Sequence, residues 1–425
     1  VKQPETKSDT KPETKSERSQ PGTAAALSAI VTGALILQMA STIVHTVVPL
    51  RLALEKQPPL LIGIVGSAYA VGFLIGCFAI PSLIRRIGHI RGFAVFAALQ
   101  AALTLSLPLL PVEWWSLSRF IMGVAAAGHG ICIESWISGQ ARSSHRGRIF
   151  GLYQIMNRIA LIASQVAVGY AAVLSQNIFL IASAAFSIAL IPVGLTRARG
   201  PESASLVSVK LSTLWLHAPA AVIGCLFVGL MSGPLTNVAP AYGILIGLDQ
   251  ASAILLTAAI QIGALILQWP IGFLADRLDS RIIMLGAATT VVLAVATLGG
   301  VLLVGSSHYR LWLFGLFAVI GGGSVPLYTV AVTHAYLRLG QERAVGLSAG
   351  LLFLWGTGAA IGPVAATGFM QAFGPQGLLA YIGVLSAGTA AYLVMRLMKK
   401  PPSTDPNADY PTLPPSMPDI GPRPR

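Results

Sequence analysis

Three ionisable side chains stand inside long apolar runs of this sequence: His45 in "MASTIVHTVVPL", Arg119 in "LSRFIMGVAAAG" and Arg158 in "YQIMNRIALIASQ". Charged groups are costly in an apolar medium and are usually functional there. A histidine titrates near neutral pH and can carry a proton. Polar side chains recur at helical spacing around these three. Gln38, Ser41 and His45 are spaced i, i+3, i+7 and share one face; Gln154, Arg158 and Gln165 share another, and Gln261 and Gln268 a third. Asn237, Tyr328 and Thr329 sit on further runs. Arg158 is the sharpest anomaly. It lies about nine residues into its run, roughly 14 Å deep at ~1.5 Å per residue, more than snorkelling easily covers. Glu134 is the only acid deep enough to offset these charges. If Arg119, Arg158 and His45 share one cavity, its field is positive and favours an organic anion or zwitterion. Structural roles compete: Arg119 could bond helix-end carbonyls, Arg158 could pair with a neighbouring helix, and His45 and the glutamines could serve interhelical hydrogen bonds.

The elements that must hold these residues follow from composition. The chain has 425 residues, 54% hydrophobic and only 10% charged, with a mean hydropathy of +0.73. A soluble domain carries about a quarter charged residues. Apolar runs of membrane-crossing length recur at 24–50, 59–82, 92–110, 114–138, 149–173, 177–195, 214–240, 250–274, 282–304, 310–336, 344–371 and 377–397. Only closed hydrogen-bonded elements survive in lipid, and the alternating strands of a barrel are absent. The expectation is an all-α membrane protein of twelve transmembrane helices. The net charge of +13 sits in short connections and tails, where it sets orientation, so no nucleic acid is expected. Cys77, Cys132 and Cys225 lack metal-ligand spacing and read as small buried hydrophobes. No metal or cofactor is expected.

The chain divides into a disordered tail (1–22, with "PETKS" twice), a six-helix bundle (23–195), a polar linker (196–213), a second six-helix bundle (214–398) and a disordered Pro-rich tail (399–425). The tail before the first run is polar, so no cleavable signal peptide is expected. Basic residues collect in the even-numbered connections, as Arg85, Arg86 and Arg91, then Arg142, Arg146 and Arg148, then Arg197, Arg199 and Lys210. Those connections and both termini are expected in the cytoplasm, with the protein a multi-pass component of a bacterial inner membrane.

"IPSLIRRIGHIR" at 80–91 overlays "IGFLADRLDSR" at 271–281, and "RGRIFGLYQ" at 146 overlays "RAVGLSAGL" at 343. Repetition about a midpoint linker marks a transporter of two related halves. Here the sequence resembles the major facilitator superfamily. Gly272, Leu274, Ala275, Asp276, Arg277 and Arg281 match its G-x-L-A-D-R-x-G-R-R loop signature; Asp279 replaces the second glycine, and Arg85 replaces the acid of the first copy. Arg119 and Gly123 resemble its R-x-x-x-G motif. Gly358, Gly362 and Pro363 resemble its G-x-x-x-G-P motif, but on the eleventh run and not on the fifth, where it marks drug antiporters. "IRRIGHIR", "ESWIS" and "PLYTVAVTHAYLRL" resemble the YcaD-like branch.

The resemblance implies two pseudo-symmetric six-helix bundles rocking about a central cavity lined by the first, fourth, seventh and tenth helices, which places His45, Arg119, Asn237 and Tyr328 near it. It implies a cytoplasmic latch of Gly272, Asp276, Arg277 and Arg281, with Glu134 facing Arg85 or Arg86 in the first half and His334 nearby. The expected partners are a small-molecule solute, a candidate coupling proton and the lipid bilayer, with the chain acting as a monomer. No G-x-x-x-x-G-K-[ST] loop is present, so a gradient must drive uphill movement, and facilitated diffusion fits equally well. No H-E-x-x-H motif and no paired aspartates support an enzyme. Trp136, Trp269 and Trp355 read as packing or interface residues. A transporter-like sensor or scaffold is the alternative; a solute-sized polar cavity favours transport, and an apolar plug favours the sensor.

Overall fold

A chain this apolar must satisfy its own backbone, and helices do so without help from water. In the computed structural model, residues 21–140, 146–195, 211–275, 277–304, 308–339 and 344–399 are described. The expected tail 1–20, linker residues 196–210, the tail from 400 and Asp276 lie outside the described residues, as does the side chain of Glu134.

Twelve rods follow one another: α1 (Pro21–Leu54), α2 (Pro59–Ile87), α3 (His89–Leu109), α4 (Trp115–Gln140), α5 (Arg146–Gly169), α6 (Asn177–Gly194), α7 (Pro219–Leu245), α8 (Gln250–Ala275), α9 (Ser280–Val304), α10 (Tyr309–Leu339), α11 (Ala344–Phe373) and α12 (Gly377–Lys399). Among the described residues, eleven are long and apolar enough to cross a membrane. The exception is α5, which carries Gln154, Asn157, Arg158 and Gln165. A short helix, Leu211–His217, precedes α7 and spans the end of the expected linker and the start of the expected seventh run. The rods alternate in direction, so the α2–α3 and α8–α9 turns share one end of the bundle, called here the basic side.

Glycine governs the tightest crossing in each half. A Cβ on Gly72 would run into the Phe120 carbonyl, and one on Gly123 into the Tyr69 carbonyl, so α2 and α4 touch backbone to backbone. The second half repeats the arrangement: Gly263 faces the Ala318 carbonyl and Gly321 the Ile260 carbonyl where α8 crosses α10. Small residues permit such approach where lipid offers no hydrophobic drive between helices. Gly229, Gly358 and Gly362 do the same between α7 and α11.

Between the halves, contact is concentrated away from the basic side. Gly63 of α2 fits against Thr367 of α11, and the Val364 amide donates to Ser67 Oγ at 3.3 Å. Gln250 Nε2, at the start of α8, donates to the carbonyls of Val168, Gly169 and Ala171 at and just past the end of α5, at 3.4, 3.3 and 2.6 Å. Toward the basic side the halves part around cavities.

Proline sets the local breaks. Pro234 lacks the N–H that would bond the Leu230 carbonyl, and the Tyr381 hydroxyl of α12 donates to that oxygen instead, at 3.0 Å. The following turn, Pro234–Val238, is a π-helix, and Pro240 leaves a second gap in the ladder. Such bulges re-aim side chains and are frequent at functional sites; this one carries Asn237.

Because α2 and α4 meet backbone to backbone, Gly123→Val should cost about 1–3 kcal/mol through forced separation of the helices. Thermal unfolding of the purified protein checks this, with Gly388→Ala as a neutral reference, since a Cβ there meets nothing within 4 Å.

Candidate functional site

Arg119 is 1% exposed on α4. It does not bond helix-end carbonyls. Its Nη2 donates to His45 Nδ1 of α1 at 2.9 Å, and its Cζ lies 4.4 Å from the Tyr69 ring centroid on α2. Stacking on an aromatic face offsets part of the cost of burying a guanidinium. The Tyr69 ring also meets the His45 ring edge-on at 4.3 Å. No carboxylate joins this group among the described residues. Asn237 of α7, in the other half, places Oδ1 3.3 Å from the same His45 Nδ1, while its Nδ2 donates to the Gly233 carbonyl at 3.2 Å and to Thr236 Oγ1 at 3.3 Å. An arginine can only donate, so while its bond lasts Nδ1 carries a lone pair and the ring proton sits on Nε2. A proton on Nδ1 would reverse the choice, breaking the bond to Arg119 and making one to Asn237. Gln38, one face-turn away, donates instead to Thr42 of its own helix at 3.1 Å, and Ser41 is half-buried.

Arg158 stands in a different place. It lines a cavity of about 460 Å³ between the halves with Gln154, Gln261, Gln268, Tyr328 and Trp355. Its Nη1 donates to Gln261 Oε1 on α8 at 2.6 Å, joining α5 to the second half through a neutral partner. No acidic residue among the described residues lines this cavity. Gln268, Pro326 and Thr329 continue into a smaller space of about 240 Å³ that reaches Gly272 and Thr333, so the polar volume runs toward the basic side. The condition that Arg119, Arg158 and His45 share one cavity is not met. Arg119, His45 and Asn237 do not line the Arg158 cavity; the π-turn of α7 stands between, with Thr236 facing the cavity and Asn237 facing His45. The positive field at the cavity therefore belongs to Arg158.

The loop residues are arranged within their own half. Arg281 is 4% exposed and grips Asp279: its Nη2 is 2.5 Å from Oδ2, and its Nε lies 3.0 and 3.1 Å from the two oxygens. Asp279 Oδ1 also accepts the Arg281 amide at 2.8 Å, the bond of an N-cap at the start of α9. At the matching point of the first half no side chain caps α3; Gly88 stands there and turns the chain with φ +83°, where a side chain would strain the backbone. Burial works against the Asp279 anion, but the hydrogen bonds and charge of Arg281, with His334 nearby, hold its carboxyl below the ordinary range. Arg277 lies over the Phe273 ring of its own segment at 4.1 Å, and Arg85 and Arg86 are exposed. Gly272 has nothing within 4 Å of its Cβ position, so close helix approach is not its role where the halves stand apart. His334 is buried at the end of α10.

Two residues escaped the sequence reading. Tyr69 had no distinguishing spacing, since its role is created by α4 crossing over α2. Asp279 as the partner of Arg281 was legible in principle, because an acid just before a helix start is an N-cap signal.

A polytopic helical protein with two glycine-crossed halves and a polar cavity between them has the architecture of a membrane transporter. The sequence matches the family model described as Major Facilitator Superfamily over residues 30–356 and 221–416, and the chain belongs to that superfamily. It is 27% identical over 382 residues to "Uncharacterized MFS-type transporter YcaD" of Escherichia fergusonii, covering 89% of this chain and 97% of that one. It is 26% identical over 376 residues to an uncharacterized MFS-type transporter of Yersinia enterocolitica, covering 88% and 95%. Solved structures with the same fold include the nucleoside transporter NupG (TM-score 0.71, 15% identity, 88% and 98% covered) and a D-xylose-proton symporter (0.67, 14%, 87% and 96%). A bacterial homologue of the human lysosomal transporter Spinster, inward-facing and unoccupied, gives 0.65 at 15% identity, covering 90% and 96%.

Asp279→Asn keeps a capping oxygen and loses the ion pair, and Asp279→Ala loses both. Both should lower the unfolding free energy at pH 7, alanine more, by about 1–3 kcal/mol in total, read as a lower unfolding temperature. The Asp279 carboxyl is held low in the folded state, so its stabilisation is present above the ordinary carboxylate pKa of about 3.9 and is lost as pH falls below it. The gap between wild type and Asp279→Asn should therefore close in the acid limb of a pH-resolved melting series.

Proposed function

We propose that this protein is a rocker-switch transporter of a small organic anion or zwitterion, coupled to protons. Residues 23–195 and 214–398 are the two moving bodies, and the chain works as a monomer in a bacterial inner membrane with both termini in the cytoplasm. The observation that carries the reading is Arg158, a cation on the wall of a polar cavity whose bonded partner is the neutral Gln261. A carboxylate entering the cavity would gain a charge-assisted bond that Gln261 cannot match. The cavity volume lies in the range of small-molecule sites. It also weighs against the sensor reading, which expected an apolar plug. Gln154, Gln268 and Tyr328 supply further polar groups to orient the solute.

The proton is assigned to His45. Its Nδ1 faces a donor from the first half, Arg119, and an acceptor from the second, Asn237. Protonation would exchange a bond within one half for a bond between halves, biasing the rocking equilibrium.

Uptake by proteoliposomes of a panel of radiolabelled organic acids under an imposed proton gradient tests both parts. At least one acid should accumulate, and Arg158→Ala should raise its half-saturating concentration by at least about tenfold, the loss of one charge-assisted bond. His45→Gln should retain downhill exchange and lose uphill accumulation. Transport of lipophilic cations alone, indifferent to Arg158→Ala, would refute the substrate class. Full accumulation by His45→Gln would refute the proton site.

A further inference from the structure

A second space lies between the halves, on the other side of α11 from the Arg158 cavity. It has a volume of about 290 Å³ and is bounded by α2, α4 and α11. Its walls are apolar: Phe73, Leu74, Phe78 and Ile84 on one side, Leu352 and Phe353 on the other. Along α2 the lining runs from Phe73 to Arg85, about 18 Å at ~1.5 Å per residue. Edge-on ring pairs close it across the halves, Phe73 with Trp355 at 6.5 Å and Phe78 with Phe353 at 5.7 Å. The charged and strongly polar groups gather at one end, the basic side, where Arg85, His89 and Ser135 stand. Arg85 has no hydrogen bond or ion pair among the described residues.

From this geometry we infer a binding site for a single-chain anionic amphiphile, its alkyl chain in the slot and its carboxylate on Arg85. The apolar walls carry no partner for a polar solute, so a polar ligand would lose hydrogen bonds on entry. An alkyl chain loses none and gains burial. The volume suits one chain and not two. With no partner among the described residues, the Arg85 guanidinium stands where the head of such a ligand would lie, at the end from which water reaches it. Because the walls come from both halves, an occupied slot holds α2 and α11 apart on the basic side. The site is separate from the solute cavity and stands whether or not an organic acid is transported there.

Cys77 reports on it. It lines the slot and is partly exposed, while Cys132 and Cys225 are both 0% exposed. The experiment follows N-ethylmaleimide labelling of Cys77 by intact mass, using the full chain in phosphatidylcholine nanodiscs at mildly alkaline pH. Palmitate should slow labelling, whereas its uncharged methyl ester and the short-chain hexanoate should not. Arg85→Gln should raise the palmitate needed for half-protection by at least about tenfold, and Arg85→Lys should restore most of the effect. Gly356→Leu, whose side chain must push Leu74 into the slot, should abolish protection, and Gly356→Ala should retain it more fully. Arg158→Gln should protect like wild type, which separates this site from the solute cavity. Equal protection by methyl palmitate, or unchanged protection in Arg85→Gln, would overturn the inference. Protection by phosphatidylglycerol discs with no palmitate would overturn the single-chain assignment in favour of a two-chain lipid.

Discussion

Everything in this protein depends on two halves that are each rigid and yet hold each other over only part of their length. The rigidity comes from backbone contact. Gly72 and Gly123 let α2 and α4 meet with no side chain between them, and Gly263 and Gly321 do the same for α8 and α10. Contact this close leaves no side chains between the helices to repack, so each half is built as one packed body. The parting comes from where the halves touch. Their hydrogen bonds at Gln250 and Ser67 lie away from the basic side, and the spaces lined by Arg158, Gln268 and Leu352 open toward it. The arrangement is that of a hinge closed at one end.

Polar chemistry is rationed in such a fold, so its placement is informative. Arg119 and Arg158 are both deep, but their surroundings assign them different work. Arg119 is sealed between a tyrosine face and a histidine nitrogen, and reaches the other half only through His45 and Asn237. Arg158 is in the open cavity and bonds the other half directly through Gln261. One is a candidate for sensing a proton, the other for meeting a solute. The π-turn of α7 makes the division, sending Thr236 to one side and Asn237 to the other.

The basic-side loops show the same repeat solved with different chemistry. In the second half Asp279 caps α9 and pairs with Arg281, a local bond spanning two residues. In the first half Gly88 makes the turn through its backbone alone, and Arg85 has no partner among the described residues beside an apolar slot. An asymmetry that reads in the sequence as decay of a motif is, in three dimensions, an exposed arginine at the end of an apolar space.

Much was legible in the sequence, for a physical reason: lipid demands long apolar helices, so the order and approximate ends of eleven of the twelve rods follow from hydropathy, and α5, the polar one, from its place between them. The basic loops were readable from charge, the internal repeat from overlay of the two halves, and Gly123, Gly358 and Gly362 from their resemblance to family motifs. Helical periodicity also placed Gln154 with Arg158, and Gln261 with Gln268, on shared faces. What periodicity could not decide was which faces look at one another. That Arg119 pairs with His45 and Tyr69, that Arg158 meets Gln261, and that these are two sites and not one depend on rotation of helices about their axes and on the π-turn after Pro234. Those are set by backbone contacts at glycines distant in sequence, and only the tertiary structure brings such contacts together.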